Sequence, residues 1–253
     1  MITENKNGEI TTSIMNNTAW VEFCHPAANS LPSALLKQLS STFNTLAHNH
    51  EVHVIVLKSS GNGTFCAGAS FTELQHISNY EEGAVYFSGF ANVINAMRAC
   101  GKIIIGAIQG KAAGGGVGLI AACDYAIATV KASIRLPEIN IGIGPFVIAP
   151  AIIKKCGTSA LAEMSLDTEW KSSDWALQKG FYNKILPTVE LLTEEVNKMA
   201  AHLSAQNPEA LYALKKIFWE GTDDWDQLLS ERAKITGRLA MSEFTKNALD
   251  KFK

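Results

Sequence analysis

The sequence lacks the features that mark membrane, secreted and nucleic-acid-binding proteins. No apolar stretch reaches the roughly 20 residues that a membrane-spanning helix needs, and the opening segment MITENKNGEI has no basic region followed by an apolar one. The 253 residues carry a net charge of −2 and contain no run of basic residues that would attract nucleic acid. We therefore expect a cytoplasmic protein that binds neither membranes nor nucleic acid.

Cysteine and histidine are scarce, and neither is spaced for a metal site or a disulfide framework. The five cysteines are odd in number and include no C-x-x-C pair, a pattern typical of small core residues in a reducing compartment. The six histidines form no HExxH motif or comparable ligand pattern. The sequence therefore predicts no metal centre.

The apolar pattern predicts an α/β core followed by a helical region. Two short buried strands, Val52–Leu57 and Ile103–Ile108, each lead into a loop of small residues and then a helical segment. From about Thr188 the strands stop and amphipathic helices take over. We divide the chain into a core, 1–187, and a C-terminal helical region, 188–253. The apolar residues of that region indicate packing on the core and a subunit interface.

Glycines cluster between the second strand and a helical segment, at Gly110, Gly114, Gly115, Gly116 and Gly118. Without Cβ atoms, consecutive glycines expose their N–H groups to a ligand at the positive end of a helix. Tight packing of the helix on the sheet is an alternative reason for the cluster. The dinucleotide-binding fingerprint is incomplete and no Gly-Lys-Ser/Thr follows, which argues against a nucleotide triphosphate loop.

A carboxylate in apolar company follows the glycine cluster. Glu138 stands among Leu136, Ile139 and Ile141, a setting suited to proton transfer. The small-residue loop Cys66–Ala69, like the glycine cluster, follows a predicted strand and precedes a predicted helix. Two N–H groups that converge from these loops on one carbonyl oxygen would form an oxyanion hole and stabilise the enolate of a thioester.

Four motifs occur in order along the chain. They are Phe65-Cys66-Ala67-Gly68-Ala69, Gly110-x-x-x-Gly114-Gly115-Gly116, Ala122-Cys123-Asp124 and Leu136-Pro137-Glu138-x-x-x-Gly142. Through them the chain resembles the crotonase (enoyl-CoA hydratase/isomerase) superfamily over nearly its whole length. The resemblance implies an α/β spiral core of ββα turns with a C-terminal helical trimerisation region. It also implies a homotrimer or a hexamer.

The resemblance further implies how the site works on an acyl-CoA substrate. The N–H groups of Ala69 and Gly115 would bind the thioester oxygen, and Glu138 would act as the catalytic acid–base. The adenine and pantetheine parts of coenzyme A would lie along a channel lined by Ala27, Ala28, Ala67 and Gly68. No separate cofactor is implied, because coenzyme A is part of the substrate.

Three positions depart from the family pattern. Gly118 replaces the second glutamate of the two-carboxylate hydratases, Phe146 replaces a glycine near the water position, and Ser70 replaces an acidic residue. One glutamate can shuttle a proton between two carbons, so the sequence favours double-bond isomerisation. Two alternatives stay open: an enoyl-CoA hydratase, including one for a branched substrate such as methylglutaconyl-CoA, and a non-catalytic acyl-CoA-binding trimer.

Several other side chains are weaker candidates. Glu73 and His76 lie three apart on a predicted helix, and they face either the site or solvent. Asp124 is interpreted as a structural residue, and Trp170 and Trp175 as core or interface residues. A pocket for an apolar or branched acyl chain would be shaped by Phe71, Phe87, Phe90 and Phe146.

Overall fold

A six-stranded sheet organises the computed structural model, which describes residues 7–251. In chain order the strands are β1 (Glu9–Met15), β2 (Thr18–Cys24), β3 (Val54–Ser59), β4 (Ile103–Ile108), β5 (Ala112–Ala113), β6 (Tyr125–Thr129), β7 (Ile134–Arg135) and β8 (Lys184–Leu186). The sheet order is β1-β2-β3-β4-β6-β8, while β5 and β7 pair separately. Strands β1 and β2 are antiparallel, and every later pair is parallel.

Helices cover both faces of the sheet. They are α1 (Ser33–Ala47), α2 (Phe71–His76), α3 (Tyr80–Ala99), α4 (Gly115–Ala122), α5 (Ala149–Leu166), α6 (Ser173–Gln178), α7 (Val189–Ser204), α8 (Pro208–Phe218), α9 (Trp225–Ala240) and α10 (Glu243–Asp250), with a 3₁₀ turn at Glu138–Ile141. The larger hydrophobic cluster includes residues of α1, α3, α4, α5 and α9, and a smaller one joins α7 and α8 to the opposite face. The predicted end of the last helix, Phe252, lies outside the described residues.

The β-rich segments Glu9–Met15 and Thr18–Phe23, separated by Asn16-Asn17, predict a hairpin, and the antiparallel pairing of β1 with β2 confirms it. Asn16 and Asn17 have φ values of 51° and 59°, the left-handed geometry that a two-residue type I′ turn requires. Asparagine accepts this conformation more readily than most residues. The sequence missed β8, a strand of three half-buried residues that is too short to show a pattern.

Short bridges stack successive loops beside the main sheet. Leu31 pairs with Ala69, Cys66 with Ala112, and Ile134 with Lys171. Each turn of the chain thus lays its loop against the loop of the turn before. The two small-residue loops, about 45 residues apart in sequence, become neighbours in this way.

Two helices begin at residues other than those the sequence indicates. The small apolar residues Val117–Ala122 predict a helix, but helix α4 starts at Gly115, so glycines form its first turn. Helix α5 starts at Ala149, at the end of the segment Ile141–Pro150 that its glycines and prolines predict to be broken. Pro150 is tolerated there because the first turn of a helix leaves its N–H groups unpaired. Gly157, with a φ of +80°, interrupts the helix, and the short helix that the sequence predicts over Ser159–Leu166 follows this break.

The C-terminal helices pack directly on the core. Helix α9 crosses α3 so closely that a β-carbon on Gly83 would lie 2.9 Å from Gly237 Cα. Trp225 and Leu229 of α9 belong to the larger hydrophobic cluster. The predicted packing on the core is therefore present. The boundary at residue 188 and the subunit interface stay predictions.

Asp124 connects helix α8 to the sheet. Its Oδ2 accepts hydrogen bonds from Lys215 Nζ at 2.7 Å and Ile104 N at 2.8 Å, and its Oδ1 accepts one from Trp219 Nε1 at 2.8 Å. The side chains of Asp124 and Lys215 are each 2% exposed. This arrangement agrees with the structural role inferred from the sequence.

We expect Asp124→Asn to destabilise the fold by about 3–5 kcal/mol, because the buried Lys215 ammonium then has no counter-charge. Urea denaturation gives the change in the free energy of unfolding. The matched control is Asp226→Asn, which breaks an ion pair whose aspartate is 78% exposed and should cost less than about 1 kcal/mol. Equal effects of the two substitutions would show that the buried pair does not stabilise α8.

Candidate active site

A cavity of about 460 Å³ lies between the two small-residue loops, the 3₁₀ turn and helices α3 and α9. Its apolar lining includes Phe71, Leu74, Phe87, Phe90, Val147 and Ile148. Its polar lining comprises Arg135, Glu138, Asn140 and Thr236. A second cavity of about 440 Å³, between β1, β2 and α7, is lined by none of the predicted site residues.

One predicted pocket residue is absent from this lining. Phe146 does not line the cavity, because its ring lies over Gly144, where a β-carbon would be 2.6 Å from Phe146 Cζ. The expectation that Phe146 shapes the acyl pocket is therefore wrong. The other three predicted phenylalanines do line it.

The two loops bring Ala69 and Gly115 to the lining of the same cavity. A β-carbon on Gly68, whose φ is +90°, would lie 2.8 Å from Ala113 O and 3.3 Å from Gly115 N, so only glycine permits this approach. Gly115 N is the first amide of α4 and has no acceptor within the helix. Across residues 7–251, no acceptor takes the N–H of Ala69 either. Both donors are thus available to a bound oxygen.

Glu138 presents a buried carboxylate to the cavity. Its Oε2 is inaccessible to solvent and has no hydrogen-bond partner among residues 7–251. Burial raises the pKa of this carboxyl to about 7, offset in part by a backbone hydrogen bond and by the charge of Arg135. Gly114 must be glycine, because a β-carbon there would lie 3.0 Å from Glu138 Oε1 and its φ is +52°. The group can therefore both take and give a proton near neutral pH.

No second carboxylate lines the cavity within the described part of the chain. Gly118 is buried in α4, and a β-carbon there would overlap Ile148 Cγ2 and lie 2.8 Å from Ile148 Cβ. Ile148 itself lines the cavity. A glutamate at position 118 would consequently require a smaller residue at position 148.

Glu73 and His76 lie outside the cavity. Glu73 Oε2 accepts hydrogen bonds from Ser33 N at 2.9 Å and Ser33 Oγ at 2.8 Å, which caps α1. His76 Nδ1 lies 2.7 Å from Thr72 O on its own helix. The alternative that places these two side chains at the site is therefore wrong. Ser70 caps α2 by accepting a hydrogen bond from Glu73 N at 3.3 Å.

The four residues predicted to line the coenzyme A channel form a continuous surface. Ala67 and Gly68 line the cavity, while Ala27 and Ala28 are exposed beside them. Ala67 N donates a hydrogen bond to Ala28 O at 3.1 Å, which holds the two loops together. Their role in binding coenzyme A stays a prediction.

Sequence reasoning missed the other polar residues of the cavity. Arg135, Asn140 and Thr236 line it, although none belongs to the motifs. The position of Arg135 three residues before Glu138 was the available signal. Thr236 lies on α9, and no local pattern connects it to the site.

Among residues 7–251, no group of three or more His, Cys, Asp and Glu side chains is arranged for a metal ion, and no helix is long and apolar enough to cross a membrane.

Comparisons with known proteins show the family of this chain. The profile of a family described as Enoyl-CoA hydratase/isomerase matches residues 13–252. Enoyl-CoA hydratase AKT6-1 of Alternaria alternata is 32% identical over 203 residues, which are 79% of this chain and 66% of that protein, just under two thirds. A mitochondrial enoyl-CoA hydratase of Pongo abelii is 30% identical over 234 residues, 92% of this chain and 78% of that protein.

A solved structure shows the same fold. The crystal structure of an enoyl-CoA hydratase from Bacillus halodurans superposes with a TM-score of 0.89, covering 96% of this chain and 99% of that one at 20% identity. The predicted crotonase-like α/β fold is confirmed by this superposition.

Proposed function

This chain belongs to the enoyl-CoA hydratase/isomerase family, and we propose that it is an enzyme acting on the α- and β-carbons of an enoyl-CoA thioester. One observation carries the proposal: Glu138, a buried carboxylate, shares a cavity with the free N–H groups of Ala69 and Gly115. The relatives compared above are named hydratases. Hydration is therefore the reaction that we propose first, ahead of the isomerisation that the sequence favoured.

In the proposed hydration, one carboxyl group does both proton transfers. The two N–H groups bind the thioester oxygen and stabilise the negative charge that develops there. Ionised Glu138 takes a proton from water as the water oxygen bonds to the β-carbon. Glu138 then gives that proton to the α-carbon, and the enolate collapses to the 3-hydroxyacyl thioester. A pKa near 7 suits a group that must act first as base and then as acid.

Isomerisation is the second candidate, and the packing of Ile148 against Gly118 favours it. This contact leaves the cavity with Glu138 as its one carboxylate in the described residues. In isomerisation Glu138 would remove the α-proton of a 3-enoyl thioester and return it to the γ-carbon. That reaction needs no held water and no second acid.

We expect wild-type enzyme to hydrate crotonyl-CoA with a higher kcat/KM than it shows for isomerising 3-hexenoyl-CoA. Mass spectrometry measures hydration, which adds the mass of water, and ultraviolet absorbance measures isomerisation, which conjugates the double bond with the thioester carbonyl without a change in mass. Faster isomerisation would reverse our order of the two reactions. Binding of both thioesters without turnover would support the non-catalytic acyl-CoA-binding protein instead.

We include two further features in the proposal. Coenzyme A would lie along Ala27, Ala28, Ala67 and Gly68 as part of the substrate, with no separate cofactor. The chain would assemble as a homotrimer or a hexamer. Exposed apolar side chains on α8 support assembly; they are Tyr212, Leu214, Ile217 and Phe218.

A further inference from the structure

In the part of the chain that the structure describes, two side-chain polar atoms of the cavity residues are buried and have no hydrogen-bond partner. One is an acceptor, Glu138 Oε2, and the other is a donor, Arg135 Nε. The proposed reaction accounts for the first, because Glu138 exchanges protons with water and substrate. It leaves the second unexplained. Buried polar groups are nearly always hydrogen-bonded, so an orphan donor on a cation points to a missing partner.

The surroundings of Arg135 leave its donors available. Its guanidinium carbon lies 4.5 Å from the centroid of the Trp170 ring, and Lys111 Nζ lies 4.9 Å from the same centroid. Contact with a ring face steadies the guanidinium without using its N–H groups. Within the described residues, no carboxylate, including that of Glu138, forms an ion pair with Arg135.

Arg135 also belongs to the part of the cavity where the reaction would occur. Its carbonyl oxygen accepts a hydrogen bond from Gly114 N at 3.0 Å, directly beside the proposed oxyanion donor. Arg135 precedes Glu138 by three residues and lines the same cavity. The remaining acyl lining is largely apolar, so a permanent positive charge here is chemically distinct from its surroundings.

We propose that Arg135 binds a carboxylate on the acyl chain, so that the preferred substrates are enoyl thioesters whose acyl chain ends in a carboxylate. The planar guanidinium matches a carboxylate with two parallel hydrogen bonds, and Nε supplies one of them. This inference rests on the proposed function, because it names the substrate class of the same site. Arg135 is thus a specificity-determining residue.

Saturated thioesters test this inference by binding alone, without turnover. Isothermal titration calorimetry would compare 4-carboxybutanoyl-CoA with its neutral isostere, 5-methylhexanoyl-CoA, on the full-length protein. We expect wild-type protein to bind the carboxylated thioester about 10–100-fold more tightly, as for a hydrogen-bonded charge pair. Arg135→Met should abolish that preference and leave the neutral isostere bound as before. Lys111→Met is the matched control, because Lys111 contacts the same ring but does not line the cavity.

Each other outcome overturns the inference in a recognisable way. Equal binding of the two thioesters by wild-type protein excludes a carboxylate site while the proposed function stands. If Arg135→Met weakens the binding of both thioesters and of free coenzyme A equally, Arg135 binds the phosphates of coenzyme A instead. A parallel assay with crotonyl-CoA gives the pH dependence of turnover. If Arg135→Met shifts that dependence and leaves the binding of both thioesters unchanged, the role of Arg135 is to act on Glu138. Absence of binding by any acyl-CoA contradicts the proposed function itself.

Discussion

Replacing Glu138 with glutamine lowers kcat by about 10²–10⁴-fold and leaves acyl-CoA binding nearly unchanged, because the amide keeps the shape of the side chain but transfers no proton. Steady-state kinetics with crotonyl-CoA and calorimetry with a saturated thioester measure the two quantities. The matched control is Glu73→Gln, on a carboxylate that caps α1 outside the cavity, which should keep kcat. Near-full activity of Glu138→Gln would remove Glu138 from the mechanism.

The pH dependence follows from the raised pKa of Glu138. Because the ionised form is the base, kcat/KM should rise with pH through about 7 and then level off.

The raised pKa of Glu138 should also make the stability of the fold decrease as the pH rises. Since the native state disfavours the ionised form, stability should fall by about 3 kcal/mol as pH rises from 4.5 to about 7. Glu138→Gln should lack this fall, which separates lost activity from lost folding.

Replacing Gly115 with alanine should lower kcat by about 10²–10³-fold, the usual effect of losing one oxyanion donor. The added β-carbon would overlap Phe90 Cε1 and Cζ and lie 2.8 Å from Phe90 Cδ1, so the ring or the loop must move. A moved loop turns the Gly115 N–H away from the thioester oxygen. Kinetics at saturating crotonyl-CoA measure the loss.

Two variants make the Gly115 experiment decisive. Gly63→Ala is the matched control, because a β-carbon at Gly63 meets nothing within 4 Å and kcat should not change. Adding Phe90→Leu to Gly115→Ala removes the ring atoms that collide and should restore part of kcat. Full activity of Gly115→Ala alone would contradict the role of this amide as a donor.

Local patterns in the sequence predicted most of the secondary structure. The β-rich composition of β1 and β2, the Asn16-Asn17 turn and the apolar run of β4 each depend on neighbouring residues, and each is present as predicted. The motifs also indicated Glu138 and the glycine cluster. The backbone preference of a short segment and the pattern of its buried residues depend on only a few adjacent residues, so both can be predicted from the sequence.

Only the tertiary structure decided which side chains meet in the cavity. The packing of Ile148 against Gly118, the use of Glu73 to cap α1, and the orphan donor of Arg135 all involve elements distant in sequence. The spiral stacking of loops brings such residues together, and the volume of each side chain then selects which neighbours fit. Close packing between elements leaves no periodic trace along the chain, so the sequence alone predicted Glu138 as the candidate carboxylate but did not predict its surroundings.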